Sequence, residues 1–238
     1  MPGRLIDNLQ NYVTLSADDR SALASLPSTR RSFTAGAEIV PENEAQTHCA
    51  VLIEGQAFRQ KALADGRRQI LSFHVPGDIL DLNALFLTPD YSVSALTHGE
   101  VGLVPLPAMR ELLETRPAIA RGLWRISLVE SAIYRAWLVG MGRRTALARI
   151  AHLLCEVFLR LKAVGLAQNG SCRFPVNQAH LADSLGLSAV HTNRVLQQLR
   201  AQGLITFQSG QLIVLDWNGL KAAGEFDPCY LHLPSDTA

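Results

Sequence analysis

Residues 174–215 narrow most sharply what this chain can fold into. Asn177 is a residue type favoured at a helix N-cap, and Gln178–Leu185 behind it has helical spacing of apolar residues. Gly186 and Leu187 follow. Ser188, a second N-cap type, then precedes a second helical run, Ala189–Gln202. Ala182, Gly186 and Val195 fall where two helices crossing through a tight turn need a small residue, a glycine and a core apolar residue. Thr192 departs from the pattern, because an apolar residue is usual there. Leu204–Phe207 and Leu212–Leu215 flank Ser209-Gly210, which predicts a wing of two short strands. Each element is common alone, but their order is specific.

Charge supports a nucleic-acid partner for this segment. The chain as a whole carries a net charge of +1. Residues 143–215 hold eight cations and only two anions, Glu156 and Asp183, and are therefore +6, whereas residues 1–142 are −2. A basic module inside a near-neutral chain is the footprint expected of a nucleic-acid-binding domain. A helix of this kind enters the major groove with its N-terminal residues on base edges. Ser188, Ala189, Val190, His191, Asn193, Arg194 and Gln197 lie in its first turns. Arg suits guanine, Asn and Gln suit adenine, and an apolar side chain suits the thymine methyl. Arg194 is the strongest base reader of the set, while His191 fits a base, a phosphate or a plain surface position. Asn177 and Gln178, at a helix start, suit a phosphate.

The first half has another texture. Helical spacing over residues 4–26, with Ser16 as an N-cap, predicts one or two short helices. Short β-type runs then alternate with turn signals: Glu38–Val40, Cys49–Ile53, Gln56–Ala62, Gln69–His74, Tyr91–Leu96 and Val101–Leu106. Asp65-Gly66 marks a hairpin, and the spacing argues for a sandwich, jelly roll or barrel. Beyond Pro117, Ile119, Leu123, Ile126, Glu130, Ile133, Trp137 and Gly140 recur at heptad spacing. The stripe fits a helix packed on its own β domain or a dimerisation helix, and its strict register favours the second. Gly140-Met141-Gly142 is expected to break it, with a second amphipathic helix over Arg143–Val164 and a polar loop over Gly165–Ser171.

Several classes are excluded. At 48% hydrophobic and 18% charged the composition is globular. No apolar run reaches membrane-spanning length and no signal peptide is evident, so a cytoplasmic protein with no membrane partner is expected. Cys49, Cys155, Cys172 and Cys229 show neither disulfide-framework nor metal-ligand spacing and read as free thiols. No nucleophile–base pair, P-loop or metalloprotease motif is present, so neither an enzyme nor a metal or other cofactor is expected.

The order of parts over most of residues 20–215 resembles the Crp/Fnr transcription regulators, and the run Leu187-Ser188-Ala189-Val190-His191-Thr192-Asn193-Arg194-Val195-Leu196 is similar to their recognition helix. The resemblance implies an α+β chain. Residues 1–142 would form a cyclic-nucleotide-binding-like domain, with a β-roll over about 29–107 and a dimerisation helix over about 118–140. Residues 143–238 would form a winged helix-turn-helix domain, with a tail from about 216. It implies a homodimer on a near-palindromic operator, with RNA polymerase and an unnamed small-molecule effector as further partners. Cyclic-nucleotide binders of the family carry Gly-Glu-Leu and Arg-Ser-Ala segments in the roll. Here those places read Asp81-Leu82-Asn83 and Tyr91-Ser92-Val93, so cyclic AMP is not expected to bind in the usual way. Leu71, Leu80, Asp81, Leu82, Asn83, Tyr91 and Ser92 are the expected lining of the effector pocket. No cysteine precedes Cys49, which argues against the family's iron–sulfur cluster. The alternative function is a small-molecule-binding module that acts through protein contacts.

Overall fold

The computed structural model describes residues 2–234; Met1 and residues 235–238, the outer ends of the two expected domains, lie outside the described residues. Two short helices, α1 (Pro2–Gln10) and α2 (Ala17–Ala24), come first. Ser16 caps α2 in a capping box: its hydroxyl accepts from the Asp19 N–H at 3.1 Å, and the Asp19 carboxylate accepts from the Ser16 N–H at 3.1 Å. Seven strands follow: β1 (Thr29–Phe33), β2 (Glu38–Val40), β3 (His48–Glu54), β4 (Ala57–Ala62), β5 (Arg68–His74), β6 (Ser92–Ala95) and β7 (Gly99–Pro105). They form one antiparallel sheet of order β1-β7-β3 and another of order β2-β6-β4-β5.

Strand β3 shows how the layers arise. Its run Cys49–Ile53 is apolar without alternation, because both faces are covered. Ala50 and Leu52 meet Ala57, Leu80, Val93 and Val101 between the two sheets. Cys49 and Val51 face the opposite way, into a cluster with Leu5, Leu9, Leu23, Met109, Ile119 and Leu123. That second cluster binds the helices α1, α2, α3 (Leu106–Thr115) and the start of α4 (Pro117–Arg143) to the outer face of the sheet.

The remaining elements are α5 (Ala146–Ala163), β8 (Ala167–Gln168), β9 (Ser171–Arg173), α6 (Gln178–Leu185), α7 (Ala189–Ala201), β10 (Ile205–Gln208), β11 (Gln211–Val214) and α8 (Trp217–Ala223). Strands β10-β11-β9-β8 make a small antiparallel sheet. Chain contacts divide into two compact units, Met1–Leu128 and Val129–Ala238, and α4 contributes residues to both.

Three expectations are corrected by this architecture. The glycines at 140 and 142 do not break α4, which is continuous over 27 residues to Arg143. Gly140 is buried, but a Cβ built there would make only an ordinary van der Waals contact, 3.5 Å from the Arg144 guanidinium, and the helix runs on through it. The next helix starts at Ala146, not Arg143, because Thr145 caps it by accepting from the Ala148 N–H at 3.2 Å. The expected loop Gly165–Ser171 contains the β8–β9 hairpin, whose turn places Asn169 at φ 50 and Gly170 at φ 74. Asn-Gly is a strong signal for such a turn, but the flanking strands are too short to show alternation.

The tail beyond Asp216 docks on α5. Leu220, Phe226 and Leu231 are buried, and His152 on α5 lies edge-on to Phe226 and stacked with Tyr230. Beneath them Glu156 is completely buried, and its Oε2 accepts from the Tyr230 hydroxyl at 2.7 Å and the Trp137 indole N–H at 3.0 Å. Burial pushes the Glu156 carboxyl above its ordinary range and lowers His152 to about 4. Tyr230→Phe removes one donor from this carboxylate and should destabilise the protein by about 1–3 kcal/mol in a urea titration; an unchanged midpoint would show that the bond carries no stability.

Candidate nucleic-acid interface

Helices α6 and α7 are set by their ends. The Asn177 side chain accepts from the His180 N–H at 2.8 Å, and His180 Nδ1 accepts from the Asn177 N–H at 3.3 Å. Gly186 closes α6 in the left-handed region, at φ 63 and ψ 42, a conformation that costs a residue with a Cβ about 1–2 kcal/mol. Ser188 then caps α7 by accepting from the His191 N–H at 3.2 Å. Leu181, Leu185, Val195, Leu196 and Leu199 are buried, which turns the opposite face of α7 outward. Thr192 is fully buried as well, and its hydroxyl has no hydrogen-bond partner among the described residues.

The outward face carries Val190, Arg194 and Gln197 at helical i, i+4, i+7 spacing, with Ser188 and Ala189 exposed at its start. Arg194 Nη2 lies 2.7 Å from Nδ1 of the half-buried His191, which holds the guanidinium against the helix. Asn193 is half-buried, and its Oδ1 accepts from Gln178 Nε2 at 2.9 Å. Gln178 and Asn193 therefore pin α6 to α7, a contact that sequence spacing did not suggest. Asn177 and Ser188 likewise act locally as caps. An open groove of about 740 Å³ runs from Asn177 and Gln178 past Ala189 and Leu196 to the wing tip at Ser209 and Gly210.

The structure assigns part of the basic surplus to the fold. Arg149 donates to the carbonyl oxygens of Leu185 at 2.8 Å and Arg144 at 3.2 Å. Arg144 in turn donates to the Ala136 carbonyl at 3.2 Å and lies 3.6 Å from Glu225. Arg200 donates to the Phe207 carbonyl and so ties α7 to the wing. Arg143, Arg173, Arg194 and Arg200 are the exposed arginines of residues 143–215.

The expected effector lining does not stay together. Leu71, Leu80 and Tyr91 belong to the core between the two N-terminal sheets, whereas Leu82 packs on the helical side and Asn83 is exposed. Ser92 is buried on the face opposite Tyr91 and lies 3.4 Å from Gln60. The roll interior does contain a guanidinium. Arg59, 5% exposed, donates to the Leu80 carbonyl at 2.9 Å and sits 4.2 Å over the Tyr91 ring. Its signal in the sequence is parity: Arg59 shares a face of β4 with the core residue Ala57. Asp81 is also buried and accepts from the Ala50 N–H at 2.8 Å. Burial raises its carboxyl to about 6, against the opposing pull of that bond and of Arg59 and Arg31.

A second expectation changes on α4. Ile119, Leu123, Ile133 and Trp137, from the stripe read as a dimer seam, are buried within this chain. The exposed apolar residues of α4 are Trp124 (69%), Leu128 (56%), Leu138 (66%), Val139 and Met141. Trp124, Leu128, Ser131, Arg135, Leu138 and Gly142 repeat the same 4-3 spacing in a register two residues earlier.

Known proteins match this arrangement. Residues 30–116 match the cyclic nucleotide-binding domain family, and residues 148–223 match the Crp-like helix-turn-helix domain family. AadR, a transcriptional activatory protein of Rhodopseudomonas palustris, is 31% identical over 181 residues that cover 74% of this chain and 72% of AadR. The chain belongs to the Crp/Fnr family of transcription regulators. Within that family the transcriptional activator FnrL of Cereibacter sphaeroides is 27% identical over 202 residues, covering 83% of this chain and 81% of FnrL. The solved structure of FixK2 from Bradyrhizobium japonicum superposes with a TM-score of 0.76 at 29% identity, over 83% of this chain and 98% of that one. The buried carboxyl at position 81 gives a direct test. A carboxyl whose folded pKa is raised stabilises the fold fully only below its ordinary pKa of 3.8, and that contribution is lost as pH rises through about 6. Asp81→Asn keeps an acceptor for the Ala50 N–H, so it should gain up to about 3 kcal/mol over the wild type at pH 8 and nothing near pH 4. Paired thermal-unfolding curves check this, and a difference independent of pH would contradict it.

Proposed function

We propose that this regulator is a homodimer that binds a near-palindromic operator through α7, one α7 per half-site, and that it is not an enzyme. The observation that carries the reading is the outward face of α7, where a positioned Arg194 stands between Val190 and Gln197 with no acidic residue on the helix. Arg194 reads guanine, Gln197 a second base, and His191 orients Arg194. Asn177, Gln178 and Arg173 lie toward the backbone, where phosphate contacts fix register without specifying sequence. Asn193 acts mainly by holding the two helices together. RNA polymerase is the further partner this reading includes.

Binding measured by anisotropy should weaken steeply with salt, because released counterions accompany each phosphate contact. Arg194→Ala should reduce discrimination at one base pair per half-site by about 1–3 kcal/mol while retaining affinity for random duplex. Equal weakening on all sequences would make Arg194 a phosphate contact instead.

The dimer forms through the exposed face of α4. Trp124, Leu128 and Leu138 expose more apolar surface than a helix in water normally leaves in one register, and heptad spacing lets a second α4 cover it. Leu128→Glu with Leu138→Glu should sediment as a monomer with an unchanged helical spectrum, whereas charges on the buried stripe, as in Ile133→Glu, should unfold the chain. A double variant that remains dimeric would exclude this face.

The roll does not take up cyclic AMP in the usual way. Arg59 and Tyr91 pack against each other in its interior, and Asp81 adds a buried acid. An effector of different chemistry, or a signal delivered without one, is the reading these contacts support. The alternative of a module working only through protein contacts has less in its favour, since it leaves the exposed α7 face without a role.

A further inference from the structure

We infer that Val190 reads the C5-methyl group of a thymine one or two base pairs from the guanine read by Arg194. The inference rests on α7 being the base-reading helix. Val190 is 83% exposed, the most exposed large apolar residue among the described residues. It is a β-branched residue at the second position of α7, where water gives it no stabilising contact and where the helix dipole favours an acid instead. The major groove offers one apolar feature on a standard base pair, the thymine methyl.

Spacing fixes where that thymine stands. Val190 and Arg194 are one turn apart on the same face, about 6 Å along the axis. Base pairs rise about 3.4 Å, so the two contacts fall within about two steps. His191 limits how far the guanidinium can swing, because its Nδ1 lies 2.7 Å from Arg194 Nη2. The helix Ala189–Ala201 contains neither Asp nor Glu, so it has no carboxylate to accept from a cytosine amino group. The half-site selected by this chain therefore contains a thymine near a guanine and imposes no carboxylate-read cytosine.

The test uses the full-length chain and a duplex enriched from a randomised pool by that chain. Each thymine of the half-site is replaced in turn by deoxyuridine, which removes only the methyl group. At one thymine within two steps of the Arg194-dependent guanine, the wild type should lose about fourfold in affinity, the effect of exposing one methyl. Val190→Ala should bind the thymine and deoxyuridine duplexes equally, and a 5-methylcytosine at that position should restore binding of the wild type over cytosine. Circular dichroism of the variant confirms its fold. Insensitivity of the wild type to every deoxyuridine, or the same sensitivity in Val190→Ala, would overturn the inference. Failure of the pool to enrich any sequence would instead count against α7 as the reading helix, a separate outcome.

Discussion

Burial of α5 is the constraint on which the DNA-facing half depends. Ile150, Ala151, Leu153, Leu154, Cys155, Val157, Leu159 and Leu161 are all nearly inaccessible, so the helix is covered on almost every side. A helix apolar all round must be wrapped by other elements, and α6, α7, β8, β9 and α8 do so. One carboxylate, Glu156, sits in that apolar surround, where an isolated charge is costly. Trp137 and Tyr230 meet it from two directions, which makes the C-terminal part of α4 and the C-terminal tail part of the same packing problem. The orientation of α7 is thus decided by a core that lies behind it. Arg149 adds a direct link from α5 to the end of α6.

Helix α4 divides its work by face. Two 4-3 stripes run along it, offset by two residues. The buried stripe is needed by the chain itself, and the exposed stripe is the one that the proposed dimer would cover. A sequence read by period alone cannot separate them, because both have the same spacing and similar apolar content. Burial decides, since Ile133 and Trp137 are covered while Leu128 and Leu138 are open. Intrachain packing sets the rotation of α4 about its axis, and in the proposed dimer that rotation selects which residues meet the partner.

Much of this was legible in the sequence where a residue type answers a local geometric need. Asn177, Gly186 and Ser188 act at helix ends within three or four residues, and their structural roles match their spacing. Six of the roll's seven strands follow from the β-type runs between turn residues, with ends displaced by at most two positions, whereas β1 (Thr29–Phe33) is a polar run that gave no such signal. What stayed hidden depends on distant partners. Arg59 inside the roll, the contact between Gln178 and Asn193, and the docking of Phe226 and Tyr230 on His152 each join residues that lie far apart in the chain. The basic surplus of residues 143–215 pointed to the correct domain, yet Arg144 and Arg149 serve backbone carbonyls there. Charge counting cannot tell a phosphate contact from a carbonyl brace.

In the proposed complex, two copies joined along the open face of α4 present two α7 helices to adjacent major grooves. Hydroxyl-radical footprinting of the full-length chain on an enriched duplex tests this most directly. Two protected half-sites related by two-fold symmetry are expected, with centres about 10–10.5 base pairs apart. A single protected half-site, or protection spread evenly along the duplex, would contradict it.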